Sequence, residues 1–245
     1  MLAAAAVAAH CHAVIDAVAP EVVAVKFQLA CFERLGAPGW AALEQSVAHC
    51  RALGLLVIAD AKRGDIDRSA AAYGQALLTG TSTPFGDVPG LGADAMTASP
   101  YMGRDALEPL VDAARAAAGA LFVLVRTSNP GAADIEDLDA EGRPVWEHVA
   151  AIVDRLGADA VVGATRPEHI ARMRELMPRA VFLMPGVGAQ GGSVEDLGPA
   201  FAPGPQFGLV TASRSIVEAD ERPGLQAAGA RAEAARLREL AWNSG

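Results

Sequence analysis

Residues Leu55–Ile66 read LLVIADAKRGDI, in which the strand-like run Leu55–Lys62 (LLVIADAK) opens apolar and ends in a cluster of charge. Apolar residues that do not alternate with polar ones describe a strand buried on both faces, as in a parallel sheet covered by helices. Asp60 and Lys62 lie two residues apart, so an extended backbone carries both to the same face. Desolvating two ionisable groups at the end of such a strand is costly unless they pair. The carboxyl end of a parallel strand is also where barrel enzymes assemble their sites.

Working outward, six further runs have the same character. They are Val22–Gln28 (VVAVKFQ), Asp94–Pro100 (DAMTASP), Leu121–Ser128 (LFVLVRTS), Ala160–Thr165 (AVVGAT), Val181–Gly186 (VFLMPG) and Phe207–Ser213 (FGLVTAS). Ala- and Leu-rich segments such as Gly39–Leu53, Ala106–Ala118 and Pro167–Leu176 separate them and have the lengths of crossover helices. Alternating β and α segments mean a parallel sheet. Seven strands predict either an open doubly wound sheet or an α/β fold of the TIM (β/α)8 barrel type that lacks its first strand, since the chain opens on a helix. No linker or break in composition divides residues 1–245, which read as a single barrel domain.

The composition narrows the function. Of 245 residues, 52% are apolar and 20% are charged, which excludes a disordered chain. Twenty basic against 29 acidic residues give a net charge of −9, a poor balance for binding nucleic acid or an anionic membrane. A phosphorylated small molecule remains a suitable ligand, because it needs only local cations and backbone N–H groups. Cys11, Cys31 and Cys50 form neither a CxxC pair nor a disulfide framework, as expected of a reduced, cytoplasmic chain. In His10-Cys11-His12, adjacent side chains on a helix diverge, so no metal site is expected there. The alanine-rich start is interrupted by His10, His12 and Asp16, so it predicts a packed helix and neither a targeting segment nor a membrane span.

Lys26 ends its strand as Lys62 ends the next, and Asp65 follows in the loop. DAKRGDI (60–66), preceded by VKFQLACFERLG (25–36) and followed by RTSNPG (126–131), PGVGAQGG (185–192) and SRSI (213–216), resembles orotidine 5′-phosphate decarboxylases of the longer bacterial class. The likeness runs in order from about Val22 to Ile216. DxKxxD alone is shared with related sugar-phosphate enzymes, whereas TSNPG combined with PGxGAQGG is more discriminating.

The resemblance implies a barrel that decarboxylates orotidine 5′-phosphate to UMP and CO2 for pyrimidine biosynthesis, with no metal or organic cofactor. Lys26 and Asp60 match the first lysine and the aspartate facing the substrate carboxylate, and Lys62 matches the proton donor to C6. Asp65 matches the aspartate that reaches into the partner's site across a homodimer, and Ser69 the hydroxyl residue that assists there. Ser128 matches the serine contacting the pyrimidine, while Gln190 and Arg214 match the phosphate-binding pair. The segment from Gly131 to Pro144 corresponds to the part that closes over the base.

Elementary chemistry suits those roles. Loss of CO2 from C6 leaves an electron pair poorly placed for delocalisation, so a preorganised charge array has to stabilise it. An ammonium beside that carbon does so and then donates its proton. The glycine-rich loop lets backbone N–H groups approach a phosphate, and Arg214 adds a bidentate charge.

Two features depart from the family pattern. Asp67 and Arg68 stand where a small pair is usual, near the expected dimer seam. The opening strand with its G-[LI]-D-P motif has no counterpart upstream of the first helix, consistent with seven strands. Two competing readings follow: a metal-dependent sugar-phosphate decarboxylase or aldolase of the same superfamily, or a truncated nucleotide-binding chain without turnover.

Overall fold

The computed structural model describes residues 1–188, 190–220, 222 and 225–244. Seven parallel strands form one sheet, β1 (Ala24–Gln28), β2 (Leu56–Arg63), β3 (Ala95–Ala98), β4 (Ala120–Arg126), β5 (Asp159–Val162), β6 (Phe182–Met184) and β7 (Gly208–Val210). They are hydrogen-bonded strictly in sequence order, so β1 and β7 are the two edges. A doubly wound sheet needs a point where the order reverses. None exists here, and the sheet curls as a TIM-type barrel short of one strand.

The two faces of the sheet are chemically distinct because side chains alternate along each strand. Ile58, Ala95, Phe122, Val161 and Leu183 form an inner apolar cluster, joined by the half-buried Ala24 and Leu209 of the edges. Val57, Ala59, Met96, Val123, Ala160, Phe182 and Met184 point the other way, into the layer of helices. That outer layer contains α1 (Leu2–Val18), α2 (Gly36–Ala52), α3 (Asp67–Gly74), α4 (Arg104–Ala116), α5 (Val145–Leu156), α6 (Pro167–Leu176) and α7 (Gln226–Ser244).

The shell of helices joins up where the sheet stays open. Helix α1 packs on both α2 and α7. Val18, Ala230 and Ala234 make a small apolar seam between the first and last helices, and Glu21 accepts ion pairs from Arg231 and Arg238 beside it. Among the described residues, no helix is long and apolar enough to cross a membrane.

Candidate active site

Because every strand runs in one direction, all seven carboxyl ends lie on one rim. On this rim, one layer above Ile58, strand β2 turns Asp60 to the interior. Asp60 is only 5% exposed yet keeps its charge, because four donors surround it. Lys26 Nζ and Gln28 Nε2 donate to Oδ2 at 2.8 and 3.2 Å. Lys62 Nζ and Thr97 Oγ1 donate to Oδ1 at 2.5 and 2.8 Å. Those four bonds fill the acceptor positions a carboxylate offers. Burial alone would push the Asp60 carboxyl up, but the Lys26 ammonium and its hydrogen bond, reinforced by Lys62, hold it below the usual carboxylate range.

The local backbone departs from a regular ladder at this point. Ala59 pairs with Met96 and Arg63 with Ala98, so Asp60, Ala61 and Lys62 together face the single residue Thr97. Such a bulge re-aims side chains at a site. Lys62 takes the left-handed conformation, at φ 49°, which is costly for a residue with a side chain. Its N–H, displaced from the ladder, donates to Thr97 Oγ1 at 2.9 Å.

Asp65 lies apart from this cluster and accepts the N–H of Ile66 at 2.8 Å. Ser69, in the first turn of α3, is exposed. Arg63 reaches back to Glu33 and lies over the Tyr73 ring, 5.4 Å from its centroid. The departing residues Asp67 and Arg68 are both exposed at the start of α3.

The other half of the rim is built by loops after β4, β6 and β7. Gly186 (φ 107°) lies where a Cβ would stand 3.0 Å from Ser128 Cβ and 3.3 Å from Gln190 Oε1, so a glycine brings Ser128 and Gln190 to one place. The loop is closed by Gly192 N–H donating to Gly186 O and Gly188 N–H to Gly192 O, each at 3.0 Å; its Ala189 lies outside the described residues. A Cβ at Gly188 would stand 3.4 Å from the side chain of Ser215, the neighbour of Arg214, so the two loops lie close together. Ser215 Oγ is enclosed and has no partner among the described residues. Arg214 opens a short helical turn after β7 and is exposed.

Between the halves, the acidic segment after TSNPG is clasped to the end of β4. The buried Arg126 donates from Nε and Nη2 to both oxygens of Asp137, at 3.2 and 2.7 Å. Thr127 N–H donates to Glu136 Oε2 at 2.8 Å. The segment then forms a small hairpin of Asp139–Ala140 with Arg143–Pro144.

The structure thus brings Lys26, Asp60 and Lys62 together, and separately Ser128 and Gln190, with Arg214 next to the residue that contacts their loop. Asp65 and Ser69 join neither group within one chain. Thr97 and Gln28 also belong to the charged group, although neither stands out in the sequence. A threonine inside an apolar run reads as ordinary strand filler, and Gln28 is an uncharged residue at the end of its run. The described residues contain no group of three or more His, Cys, Asp or Glu side chains placed to hold a metal ion.

The family model described as orotidine 5′-phosphate decarboxylase / HUMPS family matches residues 7–229. The chain belongs to this family. It is 44% identical over 230 residues to an orotidine 5′-phosphate decarboxylase of Rhodopirellula baltica, covering 89% of this chain and 75% of the relative. It is also 44% identical over 238 residues to the enzyme of that name from Deinococcus radiodurans, covering 92% of this chain and 81% of the relative. The solved structure of Leishmania donovani OMP decarboxylase superposes with a TM-score of 0.76 at 34% identity, covering 96% of this chain and 89% of that one.

Proposed function

We propose that this chain decarboxylates orotidine 5′-phosphate to UMP and CO2, as the names of its relatives imply, without metal or organic cofactor. The observation that carries the reading is the Lys26–Asp60–Lys62 array, two ammonium groups fixed on one buried carboxylate. In the reaction, the bond between C6 and the carboxylate breaks and its electron pair stays on C6. The Lys62 ammonium stabilises that charge and then transfers a proton to C6, and solvent returns a proton to the lysine. Asp60 faces the departing carboxylate and Lys26 holds Asp60 in place.

Ser128 contacts the pyrimidine, and Gln190 and Arg214 take the phosphate beside the glycine loop. Binding energy gained at the phosphate is then available at the reacting carbon. Residues 1–245 act as one barrel domain, in the cytoplasm, and pair as a homodimer in which Asp65 and Ser69 serve the partner's site. The exposed Ser69 and the half-buried Asp65, both outside the charged cluster of their own chain, support that pairing, and the three free cysteines suit a reducing compartment.

The ultraviolet change on adding orotidine 5′-phosphate tests the reading. Turnover that persists in EDTA and disappears in Lys62→Ala is expected. Turnover abolished by EDTA, or left intact by Lys62→Ala, overturns it.

A further inference from the structure

We propose that Thr97 is a positioning residue of this site, whose hydroxyl sets both the Asp60 carboxylate and the bulged backbone that aims Lys62. The inference rests on the reading of the Lys26–Asp60–Lys62 array given above, and extends it to a residue on a strand that contributes no charge.

The argument begins with the register. Where three residues of β2 face one of β3, the ladder loses backbone partners. The freed Lys62 N–H faces a strand whose Ala95, Met96 and Ala98 are all buried, so it needs an acceptor from the protein. A hydroxyl on the residue opposite the bulge is the shortest group able to accept that N–H and also donate. Thr97, 1% exposed, does both: it accepts from Lys62 N at 2.9 Å and donates to Asp60 Oδ1 at 2.8 Å.

The direction of these bonds matters. A hydroxyl has one proton to give, and a carboxylate can only accept. The Lys62 N–H can only donate, so it fixes the oxygen as its acceptor and leaves the proton for Asp60. The hydroxyl therefore couples the left-handed turn at Lys62 to the orientation of the carboxylate whose Oδ1 also accepts from the Lys62 ammonium. A β-branched side chain adds stiffness, since Thr97 has few accessible rotamers on a strand. Valine would have almost the same shape and neither bond.

Thr97→Val and Thr97→Ser, compared with the unaltered chain, provide the test. Thr97→Val is expected to lower kcat by about 10- to 100-fold with KM changed less than about threefold, the pattern of a displaced reacting group rather than lost binding. Thr97→Ser should recover most of the rate. Carbon-13 titration of the Asp60 carboxyl reads the same contact without turnover: its midpoint should rise in Thr97→Val and return in Thr97→Ser. Far-ultraviolet circular dichroism and the urea midpoint show whether each variant is folded. A folded Thr97→Val with unchanged kcat and unchanged Asp60 titration overturns the inference, and so does failure of serine to restore either. Should Thr97→Val fail to fold, the serine variant decides alone: normal kcat and titration support the role of the hydroxyl, and loss of either defeats it. If the unaltered chain does not decarboxylate orotidine 5′-phosphate at all, the functional reading fails, while the titration still decides the positioning role.

Discussion

The two halves of the carboxyl rim treat polar groups in opposite ways. On the β1–β3 side the charges are already paired: Asp60 accepts four hydrogen bonds, two from ammonium groups, and is almost wholly buried. On the β4–β7 side, Gln190 and Arg214 are both exposed, and among the described residues neither side chain is paired with a carboxylate. A group paired in advance needs no reorganisation as charge develops next to it, which suits a reacting centre. An exposed cation not already held by a carboxylate gains most from an incoming anion, which suits an anchor. The contrast predicts that one half governs rate and the other affinity.

The largest effect expected is that of Lys62→Ala. It should lower kcat by about 10²- to 10⁴-fold while UMP affinity, measured by calorimetry, changes little. If affinity falls in parallel with rate, the division between the halves is wrong. Next is Arg214→Ala, which should weaken UMP binding by about 10- to 100-fold, the range expected for charge-assisted hydrogen bonds. Uridine, which has no phosphate, should bind the variant and the unaltered chain alike. A matching loss for uridine would break the assignment of an anchor.

Asp60→Asn tests the paired half through stability. The folded carboxyl lies below its usual range, so its ion pairs contribute at neutral pH and down through that range. The contribution disappears only as pH falls through the depressed folded value. Urea unfolding should therefore show a deficit of about 1–3 kcal/mol for the asparagine variant at pH 7, closing below about pH 4. A deficit that does not depend on pH would mean that packing, not charge, holds the cluster.

The smallest effect belongs to Ser69→Ala. An exposed hydroxyl outside the charged cluster of its own chain should alter stability by less than about 0.5 kcal/mol. Its KM for orotidine 5′-phosphate should nevertheless rise if Ser69 completes the partner's site. An unchanged KM would confine the working site to one chain at this position.

Much of the architecture was legible from continuous apolar runs. Each of the seven expected strands exists, though most of the runs extend past the strand that forms. Leu121–Ser128 became Ala120–Arg126 and Phe207–Ser213 became Gly208–Val210, because residues beyond the last ladder bond turn away to build the rim. The Pro167–Leu176 helix appears within its expected bounds, since proline at the first helical position marks the start. The choice between a barrel-type and a doubly wound sheet was open from strand count alone. It was settled by the unreversed strand order, a property of pairing between distant segments.

The site divides in the same manner. Lys26, Asp60 and Lys62 were visible because charge at the end of an apolar strand has a desolvation cost that demands a partner. Thr97 gave no such signal, as its importance comes from facing a bulge on another strand. The clasp of Arg126 on Asp137 was equally hidden, since neither residue is unusual until the loop folds back.

By itself, then, the chain's order of apolar and charged residues determined a helix-covered parallel sheet and the strand ends that bear its ionisable groups. Local patterning suffices there, because burial on both faces and the two-residue repeat act on neighbours in sequence. Which oxygen of Asp60 meets which donor, why Lys62 accepts a left-handed backbone, and where the sheet stays open were decided only in three dimensions. Those features depend on register between strands some 35 residues apart, and hydrogen-bond direction is fixed only when both partners are in place.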